Sequence, residues 1–254
     1  MFGKEAYFEP TAVELAEVKR LAARVRKVIE GAVEPEISPE LRKLVQTRVR
    51  LRNVDHYLNL KKIGFLAAAA IEDLGSRIRS YQYIERYRFA MQPLSPEMSA
   101  AFERHGYQVR HGEVYGIREL TVKLLAFLYE IGSHIKISTV NQAGPYSSRF
   151  GDVMKFRLRE RHRMTHAHEP PSLSSRVLEF AGEITDQQKG RETVSFLLAI
   201  LREAQDATSA KEAVDEFDPT ALMKVNLQQA DEEAALMWDM AKESIQSSIA
   251  LDGA

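Results

Sequence analysis

Apolar residues recur every three or four positions along most of the chain, and this spacing predicts amphipathic helices. The first predicted helix follows a capping-box pattern, in which Thr11 precedes Glu14 by three residues, and it stops at Gly31. Between these two points the apolar positions at helical spacing are Val18, Leu21, Ala22, Val25, Val28 and Ile29. The segment therefore predicts an amphipathic helix.

Three dipeptides mark further helix starts, because serine or aspartate can cap a helix whose first residue is proline. They are Ser38-Pro39, Ser95-Pro96 and Asp218-Pro219. Other predicted helices run from about 55 to 91, from 117 to about 136, from 148 to about 168 and, as one or two helices, from 173 to 206. The prolines at 93, 170 and 171 are expected to interrupt helices, because proline has no amide hydrogen.

The pattern gives little indication of strands. Tyr107–Tyr115 can form a small hairpin around its His-Gly pair, Lys136–Val140 is briefly β-prone, and Asn141–Ser147 is the clearest predicted loop. We therefore predict an all-α fold in a single domain, residues 1–254. It comprises a helical-bundle core over 55–206, an N-terminal helical extension over 11–54 and a long C-terminal helix over 218–250.

Composition excludes several classes of protein. The chain of 254 residues has no cysteine, which rules out disulfide scaffolds, thiol nucleophiles and thiolate metal sites. No secretory signal is apparent, and the longest apolar runs are far shorter than the roughly 20 residues of a membrane span, so we expect a cytoplasmic protein with no membrane contact. Glycine-rich phosphate loops and the Gly-x-Ser-x-Gly elbow are absent, which disfavours nucleotide hydrolases, dinucleotide oxidoreductases and serine hydrolases.

The formal net charge of −1 conceals two opposite segments. Residues 149–163 hold six basic and two acidic side chains, a net +4, and residues 203–239 hold ten acidic and two basic ones, a net −8. The basic segment can provide a local phosphate site, which the acidic segment could shield. The apolar side chains of the C-terminal helix that are predicted to face the bundle are Leu222, Val225, Leu236, Met237, Met240 and Ile245.

Three of the seven histidines fall within residues 157–169, among several arginines. Histidine transfers protons near neutral pH, and arginine binds phosphate through a permanently charged, two-pronged guanidinium. His162 and His166 are four residues apart, so they share one helical face, which Arg159 and Arg163 flank. This combination favours acid–base chemistry on a phosphate ester.

The hexapeptide Arg161-His162-Arg163-Met164-Thr165-His166 resembles the signature of the HEPN superfamily, which is Arg, then Asn, Asp or His, then three residues and His. The strict pattern occurs once in the chain. Members of that superfamily are all-α, so the resemblance implies a HEPN-like core over 55–206. It also implies a metal-independent endoribonuclease without cofactors, in which two protomers pack their motif helices into one composite site.

The resemblance assigns a role to each motif residue. His166 would be the general acid or base at the ribose 2′-hydroxyl, Arg161 would stabilise charge on the phosphate, and His162 would support the site. The surrounding basic residues are expected to bind the RNA substrate: Arg157, Arg159, Arg163 and His168. Many members are toxins or antiviral effectors, which implies an antitoxin or regulatory protein as a partner, and many others are inactive binding domains.

Other interpretations of the same segment stay open. Arg163 and His168 are an alternative working pair, two residues further along. The segment can also be a solvated basic helix end that complements the helix dipole, or part of a non-catalytic module that binds RNA or protein. A zinc site at His162, His166 and His168 is disfavoured, because crowded arginines oppose a cation and HExxH is absent.

A second stretch interleaves aromatic and basic residues: Tyr81, Tyr83, Arg86, Tyr87, Arg88 and Phe89. Such residues can stack on and clamp an RNA strand. Aromatic residues at helical spacing are more often part of a core or a dimer interface, and that interpretation is favoured here.

Overall fold

The computed structural model of the chain describes residues 13–32, 39–40, 43, 59–90, 96–162 and 219–249. Within these ranges six α-helices are delimited: α1 (Leu15–Glu30), α2 (Leu60–Ala90), α3 (Pro96–His134), α4 (Ala143–Val153), α5 (Lys155–His162) and α6 (Pro219–Ser248). The one β pairing among the described residues is an isolated antiparallel bridge between Thr139 and Ile249. The all-α prediction is confirmed, and the β-prone segment 136–140 contributes only this bridge.

Most of the predicted helix ends that fall on described residues are confirmed. Gly31 follows the last residue of α1, and its amide donates to the carbonyl of Lys27 at 3.0 Å. Two helices begin at the predicted prolines, Pro96 and Pro219, because a first-turn residue needs no amide for the helical ladder. α6 ends at Ser248, two residues before the predicted end at 250.

The starts of α1 and α2 differ from the prediction, and the start predicted at 117 lies inside α3. Glu14, rather than Thr11, is the N-cap of α1, and its side chain makes no capping hydrogen bond. Thr11 lies outside the described residues. α2 begins at Leu60, where the side-chain oxygen of Asn59 accepts the amide of Lys62 at 2.9 Å. This bond satisfies one of the amides that a helix start leaves without a partner.

The predicted hairpin over 107–115 is wrong, because this segment lies inside α3. Its Arg110, His111 and Val114 are buried together with Ile117, at the spacing of one helical face. Gly112 costs about 1 kcal/mol relative to alanine within a helix. The burial of the neighbouring side chains on one face of α3 outweighs that cost.

The predicted loop over 141–147 is wrong as well, because α4 already begins at Ala143. Pro145 is the third residue of α4, where the amide has no acceptor within the helix. Tyr146 and Phe150 bury the inner face of this helix. The helix predicted from 148 is interrupted at Met154, after which α5 is described as far as His162.

The described residues fall into two compact units. The first unit contains 81–90, 96–112, 156–162 and 219–231, and the second contains 13–32, 39–40, 43, 59–80, 113–155 and 232–249. α2, α3 and α6 each contribute residues to both units. The predicted divisions at 54 and 206 stay predictions, because both positions lie outside the described residues.

Most of the buried side chains described in the second unit are apolar. Its largest fully buried side chains are Ile29, Ile63, Ile71, Leu74, Ile78, Ile117, Leu125, Tyr146, Phe150 and Trp238. In α6 the predictions of buried Met237, Met240 and Ile245 are confirmed, whereas Leu236 is exposed. The side chains of Leu222 and Val225 lie outside the described set.

Most of the buried side chains described in the first unit are polar or charged. Among the side chains described there, the buried ones are Tyr81, Gln82, Arg86, Arg110, His111, Arg157 and Ala230. Buried charges need partners, so this interior must be held by specific hydrogen bonds rather than by apolar packing alone. No helix within the described residues is long and apolar enough to span a membrane.

Candidate functional site

α5 carries four of the seven residues that the sequence assigns to the site: Arg157, Arg159, Arg161 and His162. The remaining three, Arg163, His166 and His168, lie outside the described residues. Arg161 belongs to the last turn of α5. The structure therefore describes the first half of the predicted site and leaves its second half a prediction.

Arg157 is buried, with only 6% of its surface exposed, and so differs from the expected solvent-facing phosphate contact. Its backbone carbonyl lies 3.0 Å from Nδ1 of His111, whose exposed fraction is 0%. Because a carbonyl oxygen can only accept, Nδ1 carries the proton and donates it. α5 is thereby fastened to α3 through a hydrogen bond inside the first unit.

The outer face of α5 is exposed to solvent, in contrast to the buried side at Arg157. Arg159 and His162 are both exposed and lie three residues apart, so they share one side of the helix. At 100° per residue, position 161 falls only about 40° from position 157 and about 160° from position 159. One side of α5 thus presents a guanidinium and an imidazole to solvent, and the other side is anchored in the protein.

A network of polar contacts supports this anchor. Arg110, next to His111 in α3, donates from Nε to the hydroxyl of Tyr81 at 2.8 Å, and its guanidinium carbon lies 5.1 Å from the centre of that ring. Gln82 and Arg86 both donate to the carboxylate of Asp231, at 3.0 Å in each case. These contacts join α2, α3 and α6 in the first unit.

The same network bears on the aromatic and basic stretch of α2. Tyr81 is fully buried and Arg86 is 8% exposed. Their burial supports the core interpretation for these two residues, because a side chain that clamps RNA must reach solvent. For Tyr87, Arg88 and Phe89 the choice between core and RNA contact stays a prediction.

In the second unit the shifted pKa values belong to groups that hold helices together. Chiefly because Lys242 donates a hydrogen bond to it, the pKa of Glu17 lies below its ordinary value, and the pKa of Lys242 is raised by the same contact. A hydrogen bond to Glu113 likewise raises the pKa of Arg77. Burial raises the pKa of Tyr146. Ion pairing and burial explain these shifts without a functional site.

The pattern of the sequence does not reveal the polar anchor, which is the hydrogen bond between His111 and the carbonyl of Arg157. Placing His111 in a hairpin turn hid its role, although His111, Val114 and Ile117 have the spacing of one helical face. A helical interpretation of this segment would have placed the imidazole on the buried side. Its partner would still have been unknown, since a backbone carbonyl leaves no pattern in the sequence.

The described residues contain no group of three or more histidine, aspartate or glutamate side chains that could hold a metal ion. The zinc alternative also uses His166 and His168, which lie outside those residues, and therefore stays a prediction. Comparisons of the chain with protein-family models, with curated proteins and with solved structures find no match.

Proposed function

We propose that the chain is a HEPN-like, metal-independent endoribonuclease that acts as a homodimer through Arg161 and His166. One observation carries the proposal: α5 is anchored on one side by the buried His111–Arg157 hydrogen bond and exposes Arg159 and His162 on the other. A helix held in this way can present the guanidinium of Arg159 and the imidazole of His162 to an RNA backbone, and Arg161 follows the anchored Arg157 by one helical turn. Fixed charge is what stabilises a phosphate transition state at low cost in reorganisation.

The reaction is a transesterification within the RNA. A base, assigned to His166, removes the proton of the ribose 2′-hydroxyl, and the 2′-oxygen forms a bond to the adjacent phosphorus. The bond from phosphorus to the 5′-oxygen breaks, and that oxygen takes up a proton from an acid. The products are a 2′,3′-cyclic phosphate and a 5′-hydroxyl. Arg161 would stabilise the negative charge that develops on the phosphorane, and neither role requires a metal.

The test is RNA cleavage by the purified protein in EDTA. We expect products with cyclic-phosphate ends and rates lowered about 100-fold or more by Arg161→Ala or His166→Ala, because each removes a group that acts in the transition state. Lys19→Ala is the charge-matched control, since Lys19 is exposed on α1. Arg163→Ala and His168→Ala test the alternative pair. Equal cleavage by the wild type and all variants would indicate a contaminating nuclease and overturn the proposal.

The second candidate is a non-catalytic helical module that binds RNA or protein. Burial of Arg157 favours it, because one of the basic residues then serves the interior rather than a substrate. A binding module would retain RNA without cutting it. If Arg159 contacts a phosphate, Arg159→Ala should lower the slope of log K against log salt by about 1.

The dimer and the regulatory partner are separate parts of the proposal. Sedimentation velocity over a range of concentrations measures the dimer, and the cleavage rate per chain should rise with the dimer fraction if the site is composite. A monomer with full activity would contradict the composite site while leaving the ribonuclease intact. An antitoxin or regulatory protein would be detected as a binding partner that suppresses cleavage.

A further inference from the structure

α5 is described from Lys155 to His162, and over this range its only apolar residues are Phe156 and Leu158. It follows a break at Met154 and carries strongly polar residues, so a continuous apolar stripe does not hold it in place. Its orientation must depend on particular tertiary contacts.

One such contact is the hydrogen bond from His111 Nδ1 to the carbonyl of Arg157, which joins residues 46 positions apart. In an α-helix the carbonyl of residue 157 also accepts the amide of residue 161. His111 therefore binds the carbonyl that closes the turn ending at Arg161. A donor at this point can fix both the position and the rotation of the turn that ends at Arg161.

The imidazole is enclosed by the protein. His111 is fully buried in α3, and the preceding residue, Arg110, is bonded to Tyr81 of α2 at 2.8 Å. A displacement of the ring would therefore disturb two helices as well as α5. A donor that is itself enclosed by packed helices is the arrangement expected of a group that positions functional residues.

We infer that His111 is a positioning residue for α5 and, through it, for the candidate site residues Arg161 and His162 that α5 carries. This inference rests on the proposed function. His111 lies outside the motif, however, and acts through the backbone of Arg157. His111 is not placed in contact with the substrate.

Two substitutions separate the hydrogen bond from the volume of the ring. His111→Leu fills much of the same space without a donor, whereas His111→Asn places an amide N–H at the position of Nδ1. Thr121→Val is the matched control, because Thr121 is buried in the same helix and donates to the carbonyl of Ile117 at 2.8 Å. Both losses remove one buried side-chain bond to a backbone carbonyl, so the melting temperatures of the variants can be compared directly.

We expect His111→Leu to lower kcat for RNA cleavage by about 10- to 100-fold with little change in KM, since a misplacement of about 1 Å can cost that much. His111→Asn should recover most of the rate, and Thr121→Val should retain it. The inference is overturned if His111→Leu cleaves like the wild type, if Thr121→Val loses as much rate at equal stability, or if asparagine does not rescue.

Hydrogen exchange of the α5 amides, measured without RNA, separates the two hypotheses. Exchange at Arg161 should be faster in His111→Leu than in Thr121→Val and slower again in His111→Asn, because loss of the anchor favours local opening. If the wild type fails to cleave RNA, the proposed function fails, and this pattern alone decides the positioning role. Unchanged exchange at Arg161 in His111→Leu would reject that role whatever the cleavage assay shows.

Discussion

Glu17 binds two partners at the same time. Trp238 donates from Nε1 to one carboxylate oxygen at 3.0 Å, and Lys242 donates from Nζ to the other at 2.9 Å. Trp238 is 1% exposed, so its N–H cannot turn to water if the carboxylate is removed. Trp238 therefore needs Glu17 as a hydrogen-bond acceptor more than Lys242 does, because the side chain of Lys242 keeps some access to solvent.

We expect Glu17→Ala to lower the free energy of unfolding by about 1–3 kcal/mol, the cost of leaving a buried donor without an acceptor. Glu17→Gln keeps an oxygen for the indole and loses only the partly exposed ion pair, which is worth about 0.5 kcal/mol. Urea denaturation of the two variants measures the difference. Equal losses would show that the ion pair, rather than the indole, makes the larger contribution.

The contribution of Glu17 should also depend on pH at both ends. Its pKa lies below the ordinary 4.5, so its stabilisation is complete above 4.5 and is lost as the pH falls through the lowered value. The pKa of Lys242 lies above the ordinary 10.5, so that stabilisation is complete below 10.5 and is lost as the pH rises through the raised value. The difference in the free energy of unfolding between the wild type and Glu17→Gln should be constant from pH 4.5 to pH 10.5 and smaller at more acidic and more basic pH.

At the scale of the helices, α1 and α2 are in close contact at a glycine of α2. A β-carbon at Gly75 would lie 2.6 Å from a methyl carbon of Val18, which is buried and too short to move aside. Gly112 in α3 is exposed, and a β-carbon there would have nothing within 4 Å. The two glycines therefore make opposite demands on a substitution.

Gly112→Ala should raise the free energy of unfolding by about 0.5–1 kcal/mol, because alanine restricts the unfolded chain and favours the helix. Gly75→Ala has the same favourable effect on the helix, but it overpacks the contact with Val18 at a cost of about 1–3 kcal/mol. Its net effect is therefore a lower free energy of unfolding. Val18→Ala in the same chain should restore part of the loss. Chemical denaturation of the four proteins tests this order, and stabilisation by Gly75→Ala would contradict the close contact.

The C-terminal end of α3 has a left-handed residue that is not glycine. Lys136 has a φ of 58°, and the amide of Ile137 bonds to the carbonyl of Gly132 at 3.1 Å, the pattern of a Schellman motif. Lys136→Gly should stabilise the protein by about 1 kcal/mol, because glycine has no penalty in this conformation. Lys123→Gly, at an exposed position inside α3, should destabilise it by about the same amount. Thermal unfolding measures both, and the same sign for both would refute the assignment.

Sequence patterns identified the elements better than their interruptions. Pro96, Pro219 and Gly31 mark helix ends through their own backbone chemistry, so they could be recognised locally. Gly112 and Pro145 carry the same local signals within helices, and burial of neighbouring side chains overrides them. The basic helix of the candidate site was predicted in the same local way. Its anchor at His111 was not, because that contact joins distant segments through a backbone atom.

At the scale of the whole molecule, α6 is a structural element as well as the carrier of acidic residues. Its buried side chains include Ala230, Ala234, Met237, Trp238, Met240, Ala241 and Ile245. Burial of one large apolar side chain contributes about 1.5–3 kcal/mol, and the total stability of a protein is about 5–15 kcal/mol. The burial free energy lost on removing α6 is therefore comparable to the total stability of the protein.

A chain that ends at Asp206 should accordingly lack cooperative unfolding, and it is unsuitable for testing whether the acidic segment shields the basic one. The full chain with Glu243→Gln is the comparison for stability, since it keeps α6 in place and breaks the exposed pair between Glu243 and Arg149, at 2.6 Å. That variant should lose less than about 1 kcal/mol. Near-ultraviolet circular dichroism in urea follows both proteins, and a wild-type transition in the shortened chain would contradict the role of α6.

The contact between Glu17 and Lys242 also sets an order in time. The two residues are 225 positions apart, so synthesis at about 5–20 residues per second separates them by roughly 10–45 s. During that interval α1 can pack against α2 through Val18 and Gly75, but its carboxylate has neither the indole nor the ammonium group to bind. The newly made chain therefore exposes the surface that α6 will cover, and a chaperone that binds apolar segments has its longest opportunity there.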